Sequence, residues 1–266
     1  MYPLIAFAKW CRDIPLHEMA PLIKKLGFDG VDLPVRPIAG AITPQDAPQK
    51  LPEAAKLFAE QGLTLQNVVS GITGSEDDLE QQLATLAQAG VKTVRLGGWH
   101  VPEGQDPRPL LEQARKGVSQ MQPLLEKHGL SAAIQNHSGN YLEVNVSACL
   151  RIIDGCDPKL VGVQCDFGHL PIAGEPFDLA IDLLGPYLNS ANLKCMRKAY
   201  TINRETGQLQ YTNAVVPLWD GMTDVPAILK KLKSVGYSGS LSIHAEYRSH
   251  FHRIEGDTNA TSELIA

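Results

Sequence analysis

Three short phrases in the second half of the chain carry side chains that handle protons or metal ions: Gln135-Asn-His137, Asp166-Phe-Gly-His169 and His244-Ala-Glu246. Carboxylates and imidazoles act as general acids and bases, because burial moves their pKa towards neutrality. The same groups bind Mn²⁺, Zn²⁺, Co²⁺ or Fe²⁺, and oxygen-rich sets also accept Mg²⁺. Each phrase alone is a weak signal. What joins them is where they fall on the predicted elements. Other chemistries lack their motifs: there is no GxSxG nucleophile elbow, and no GxxxxGK[ST] phosphate loop. The first predicted strand runs into AFAKWC rather than a glycine-rich dinucleotide fingerprint.

The elements that must position these residues are announced by a recurring phrase: a helical stretch, a glycine, an apolar residue, then a strand. It occurs around Gly27, Gly62, Gly90, Gly129 and Gly236. Glycine is favoured just past a helix end because it takes positive φ without penalty. Repeated helix–strand units of this kind indicate a parallel sheet. The pattern predicts strands at 4–9, 30–36, 64–69, 92–97, 132–137, 161–166, 190–195 and 240–246. It predicts helices at 16–26, 49–61, 76–89, 108–128, 145–155, 177–185, 223–235 and 258–266. Eight alternating units fill the chain, so the expected fold is a single α/β domain over 1–266, a (β/α)₈ TIM barrel, in preference to an open doubly wound sheet. Residues 196–222 show no periodicity and read as a long functional or mobile loop.

Side chains alternate between the faces of a strand. In a barrel one face meets the helices and the other fills the interior. Leu241, Ile243 and Ala245 form an apolar face, leaving Ser242, His244 and Glu246 inward. Val161, Val163 and Cys165 likewise leave Gly162, Gln164 and Asp166 inward. The same parity turns Gln135, His137, Asn192, Lys194 and Arg95 inward, always towards strand C-termini. Burying unpaired polar groups costs roughly 2–7 kcal/mol each, and barrel active sites lie at that end. Plainer roles compete: Asp166 capping the next turn, His137 bonded to Asp166 or a carbonyl, and Glu246 with Arg95 as an interior ion pair. Lys194, Arg197, Lys198 and Arg204 read as solvated charges rather than an anion site, and Gly97-Gly98 as a turn rather than a phosphate loop.

The 266 residues have a net charge of −5 and no extended basic run, which argues against nucleic acid and membrane-surface partners. No apolar stretch is long enough to span a bilayer. Five scattered cysteines without a CxxC pair point to a reducing cytoplasm rather than a disulfide framework. Homo-oligomer formation stays open.

At these residues the chain resembles the sugar phosphate isomerase/epimerase family of the xylose-isomerase-like barrel superfamily. The resemblance runs through GFDGVDLPVRP, IQNHSG, VQCDFGH, the Pro-Leu…Asp-Val-Pro stretch at 217–226 and GYSGSLSIHAEY. It implies an isomerase or epimerase of carbohydrate metabolism that takes a proton from beside a carbonyl. The partner would be a small sugar or polyol. The cofactor would be a divalent metal (Mn, Zn, Co, Mg or Fe), held in that family by Glu, Asp, His and Glu. The matching positions here are Gln135, Asp166, Asn192 and His244, so three of the four are altered, and the family's Lys-Asp pair is Lys194-Cys195. The implied roles are Asp166, His137, His244 and Glu246 as a substitute ligand set and Glu246 or His244 as base. His169, which matches the family's substrate-side histidine, would orient oxygens with His137 and Lys194. Arg95 would stabilise developing negative charge, with Gln135 and Asn192 as substrate contacts. The altered ligands favour, as rivals, a metal-free site or a non-catalytic carbohydrate-binding barrel. A lyase or dehydratase fits the same residues, and a related endonuclease ranks last for want of a basic face.

Overall fold

A computed structural model describes residues 2–246. Strands β1 (Leu4–Phe7), β2 (Gly30–Val35), β3 (Thr64–Ser70), β4 (Thr93–Arg95), β5 (Ser131–Gln135), β6 (Val161–Asp166), β7 (Leu188–Leu193) and β10 (Leu241–Ile243) run parallel. They close in the order β1-β10-β7-β6-β5-β4-β3-β2, a TIM barrel. Around them lie α1 (Leu16–Lys25), α2 (Ala47–Glu60), α3 (Leu79–Gln88), α4 (Arg108–His128), α5 (Val146–Ile152), α6 (His169–Ala173), α7 (Phe177–Leu184) and α8 (Val225–Ser234). The helix expected at 258–266 lies outside the described residues. Among those residues no helix is long and apolar enough to cross a membrane.

The five stop glycines, Gly27, Gly62, Gly90, Gly129 and Gly236, all have φ between 64° and 88°. There a Cβ would strain the backbone, so glycine is the residue that lets the chain leave a helix and turn back into a strand at least cost. The outward strand residues, including Val31, Leu33, Val94, Ile134, Val163 and Ile243, pack with Met19, Phe58, Leu83 and Met121 of the helices in one apolar layer. All five cysteines are buried with free thiols.

Two features differ from expectation. A short helix, α6, follows β6 directly. And 196–222 is not a structureless loop: it holds most of an antiparallel hairpin, β8 (Cys195–Ile202) and β9 (Leu209–Val216), paired from Cys195↔Val216 to Ile202↔Leu209. Its tip turns on Asn203, whose Oδ1 accepts from the backbone N–H of Glu205 and Thr206. The outer strand residues Tyr200, Ile202, Leu209 and Tyr211 are all exposed, so no buried face marks the strands in sequence.

Register sets the site. Asp166 pairs with Asn192 and Asn192 with Ser242, which brings β6, β7 and β10 to one level at the barrel mouth. Ile134→Ala, on the outward face of β5 and fully buried, is expected to cost about 2–5 kcal/mol. Urea denaturation measures this as a lower midpoint with an unchanged m-value.

Candidate active site at the barrel mouth

A cavity of about 500 Å³ opens where the strands end, within the usual range for a small-molecule site. It is lined by Gln135, His137, His169, Lys194, His244 and Glu246 from the later strands and by Phe7, Lys9, Arg36 and Arg95 from the earlier ones. Met196 and the β9 residues Thr212–Val215 form a wall, so the hairpin belongs to the site.

At its centre Lys194 Nζ donates to Glu246 Oε2 at 2.6 Å. Lys9 donates to the other oxygen of the same carboxylate, and His244 Nδ1 lies 3.8 Å from Oε2. Burial alone would raise the Glu246 pKa, but Lys194, His244 and Lys9 together outweigh it and hold the group well below the ordinary carboxylate range. The ion pair of Glu246 is therefore with lysines, not with Arg95. Lys194 is buried, unlike Arg197, Lys198 and Arg204, which are exposed. Gly168 holds the lysine stem, since a Cβ there would come within 2.8 Å of Lys194 Cγ.

The two histidines present opposite hydrogen-bonding faces. His169 Nδ1 meets the Ser138 hydroxyl at 2.8 Å and its N–H at 3.3 Å; the N–H can only donate, which assigns the neutral ring's proton to Nε2, 3.4 Å from Lys194 Nζ. Two donors thus lie side by side at the cavity edge. His137 Nδ1 donates to the Ser138 carbonyl at 3.0 Å, leaving Nε2 as an acceptor. Both rings stay neutral. Desolvation, with Lys194 and a neighbouring cation or ring, presses His137 down to about 4 and His169 to about 3. The rings lie 4.1 Å apart.

Asp166 is fully buried and does not line the cavity. Its Oδ1 accepts from the N–H of Gly168 and His169 at 2.9 and 3.2 Å, and its other oxygen accepts from Gln135 Nε2. Desolvation raises its pKa, but the neighbouring His169, Lys194 and His244 prevail and hold it below the usual value. It is a turn cap that also fixes Gln135. Asn192 is buried behind the cavity with neither amide atom partnered among the described residues.

These residues do not fit a divalent metal. Asp166 is engaged on both oxygens, Glu246 is shared by two lysines, and an ammonium already stands where a cation would be held. Among the described residues, no three His, Cys, Asp or Glu side chains come together as a metal-binding group.

Sequence reasoning missed five residues. Lys9, Arg36 and Phe7 line the cavity, and Phe7 stacks on His244 at 4.1 Å. Asp32 accepts from Ser242 Oγ at 2.7 Å behind the site. Extending strand parity to β1 and β2 would have found all four. Glu143, under Gly98, accepts from the Trp99 N–H at 3.2 Å. A Cβ on Gly98 would come within 2.5 Å of its Oε1. That carboxylate rules out a phosphate cradle at Gly97-Gly98. Burial pushes Glu143 up to about 7.

A sequence profile of the xylose isomerase-like TIM barrel family matches residues 20–265. An inosose dehydratase of Mesomycoplasma hyopneumoniae is 23% identical over 141 residues, covering 51% of this chain and 47% of that protein. The matched region thus spans about half the length of that curated relative. Among solved structures, the barrel superposes on 3-keto-D-glucoside 4-epimerase from E. coli (TM-score 0.69, 18% identity, 94% of this chain and 92% of that one). It also superposes on the probable 3-DHS dehydratase of Bacillus anthracis (TM-score 0.72, 16% identity, 100% and 98%). At these identities the likeness shows the fold.

Two predictions follow from the geometry. Gly168→Ala should lose about 1–3 kcal/mol by overpacking against Lys194, seen in thermal or urea unfolding. Stability should also fall on acidification below about pH 6.5. Unfolding lets His137 and His169 bind protons that the native state takes up only near pH 4 and 3. Each contributes up to ~1.4 kcal/mol per pH unit. Glu143 opposes them between its unfolded value and about 7, because there the native state holds the extra proton. In urea titrations across this range, His169→Gln is expected to flatten the dependence and Glu143→Gln to steepen it.

Proposed function

Because the chain belongs to the xylose isomerase-like TIM barrel family, we propose that it is an enzyme that removes a proton from the carbon beside the carbonyl of a small sugar-like molecule. The observation that carries this reading is the pair of donors, Lys194 Nζ and His169 Nε2, set 3.4 Å apart at the edge of the cavity beside the Glu246 carboxylate. Donors aimed at a point where negative charge develops stabilise an oxyanion. A carbonyl oxygen placed there is polarised, and an enediolate formed from it is held. His137 Nε2 accepts from a neighbouring hydroxyl, as a polyol requires.

Glu246 is the base. It is ionised, but a carboxylate with a depressed pKa is a weak acceptor of protons. The geometry supplies a remedy: a substrate oxygen that draws Lys194 to itself removes the main charge that holds the Glu246 pKa down. Basicity thus rises when substrate is in place. Lys194 then acts as the built-in electrophile.

Epimerisation and dehydration beside a ketone share this first step. In the first, a proton returns to the opposite face; in the second, a hydroxyl leaves. The relatives named epimerase and dehydratase support this common half of the reaction. Deuterium uptake from D₂O, followed by NMR over a panel of ketoses, aldoses and cyclic polyol ketones, tests it. Uptake at one carbon is expected, with Glu246→Gln slower by about 10²–10⁴-fold. Binding without any uptake across the panel would select a non-catalytic carbohydrate-binding barrel instead.

A further inference from the structure

The mouth is rich in cations. Lys9, Arg36 and Arg95 stand at the ends of β1, β2 and β4, while the proton-handling residues stand on β5 to β10. Of the described residues that line the cavity, Lys9, Arg36, Arg95 and Lys194 are cations and Glu246 is the one acid. Glu246 accepts from both lysines, so its charge is already spent. The arginines are left over. Nε of Arg36 and Nε of Arg95 are buried with no hydrogen-bond partner among the described residues. Burial and the facing Arg95 charge press the Arg36 pKa down to about 10, still protonated at neutral pH. Asp32 and Asp166 lie behind the cavity: Asp32 Oδ2 accepts from Ser242 while its Oδ1 has no hydrogen-bond partner among the described residues, and Asp166 is engaged with Gln135 and the α6 turn. Each guanidinium is half-buried, and a buried N–H in it without a partner is costly. Its planar fork matches a carboxylate or phosphate better than a neutral hydroxyl.

We propose that the substrate carries a compact anionic group, a carboxylate or a phosphate, seated between Arg36 and Arg95 with Lys9 at its edge. Its carbonyl then reaches Lys194 and His169 across the cavity. This deepens the reading above and rests on it only for the identity of the reacting end. The anion site stands or falls by binding alone.

Calorimetric titration of the full chain with inorganic phosphate, glycolate and neutral glycerol tests the site. Phosphate or glycolate should bind, more weakly as salt rises, and glycerol should not. Arg36→Gln and Arg95→Gln should each weaken the anion by about 10- to 100-fold. Arg36→Lys should recover part of the loss, and the surface control Arg108→Gln should change nothing. Preference for phosphate or for glycolate identifies which anion the substrate bears. Equal binding of glycerol, or anion binding unchanged in both glutamine variants, overturns the proposal. Because proton uptake is read separately, anion binding without exchange would sink the enzyme reading alone. Exchange on neutral sugars that is indifferent to Arg36→Gln would sink this one alone.

Discussion

The site is organised around a buried ion pair, Lys194 with Glu246, 2.6 Å apart. Taking two charges out of water costs several kcal/mol per ion, and their attraction offsets this only when further hydrogen bonds complete the arrangement. Here Glu246 also accepts from Lys9, and His244 stands beside it. The Lys194 backbone is tied by Thr223, whose hydroxyl donates to the Lys194 carbonyl at 2.9 Å. The pair joins the ends of β7 and β10, neighbouring strands of the closed barrel, so the site depends on their being paired. Removing one partner would leave the other buried and uncompensated.

That pair also changes what kind of site the barrel mouth is. The resemblance in sequence implies a metal ion among carboxylates and imidazoles. The structure instead offers a fixed ammonium, two neutral imidazoles and two amides. Neutral rings suit this setting: both rings are largely desolvated and face Lys194, and both effects push the proton off. The rings then serve as a directed donor and a directed acceptor, which is what a polyol with adjacent hydroxyls needs.

Much of the fold was legible because its signals are local. A helix that ends in glycine, followed by an apolar strand, reports its own geometry whatever lies around it, and the five recurrent glycines all adopt the left-handed conformation that made them recognisable. Strand parity is local too, so the inward set on β4 to β7 and β10 could be read from alternation with Leu, Ile and Val. The hairpin β8–β9 escaped because both its faces meet solvent over much of its length, and a strand without a buried face has no hydrophobic alternation. The short α6 escaped because its start depends on Asp166 capping the turn, a bond between backbone and side chain that spacing alone does not distinguish from a free carboxylate.

The sequence by itself therefore determined the alternation of elements, the side of each strand that faces inward, and the gathering of polar residues at one end. Which of those residues meet was decided by the closed barrel. Asp166 and Asn192 share the inward parity of Lys194 and Glu246, yet they sit below the cavity while Lys194 and Glu246 enter it. The difference lies in depth along the barrel axis and in register between strands that are distant in the chain. Lys9 and Glu246 are separated by 237 positions, and no local pattern encodes their contact. Parity is a property of one strand and can be read from it. Register and depth come from closing eight strands on one another, and only the tertiary structure supplies them.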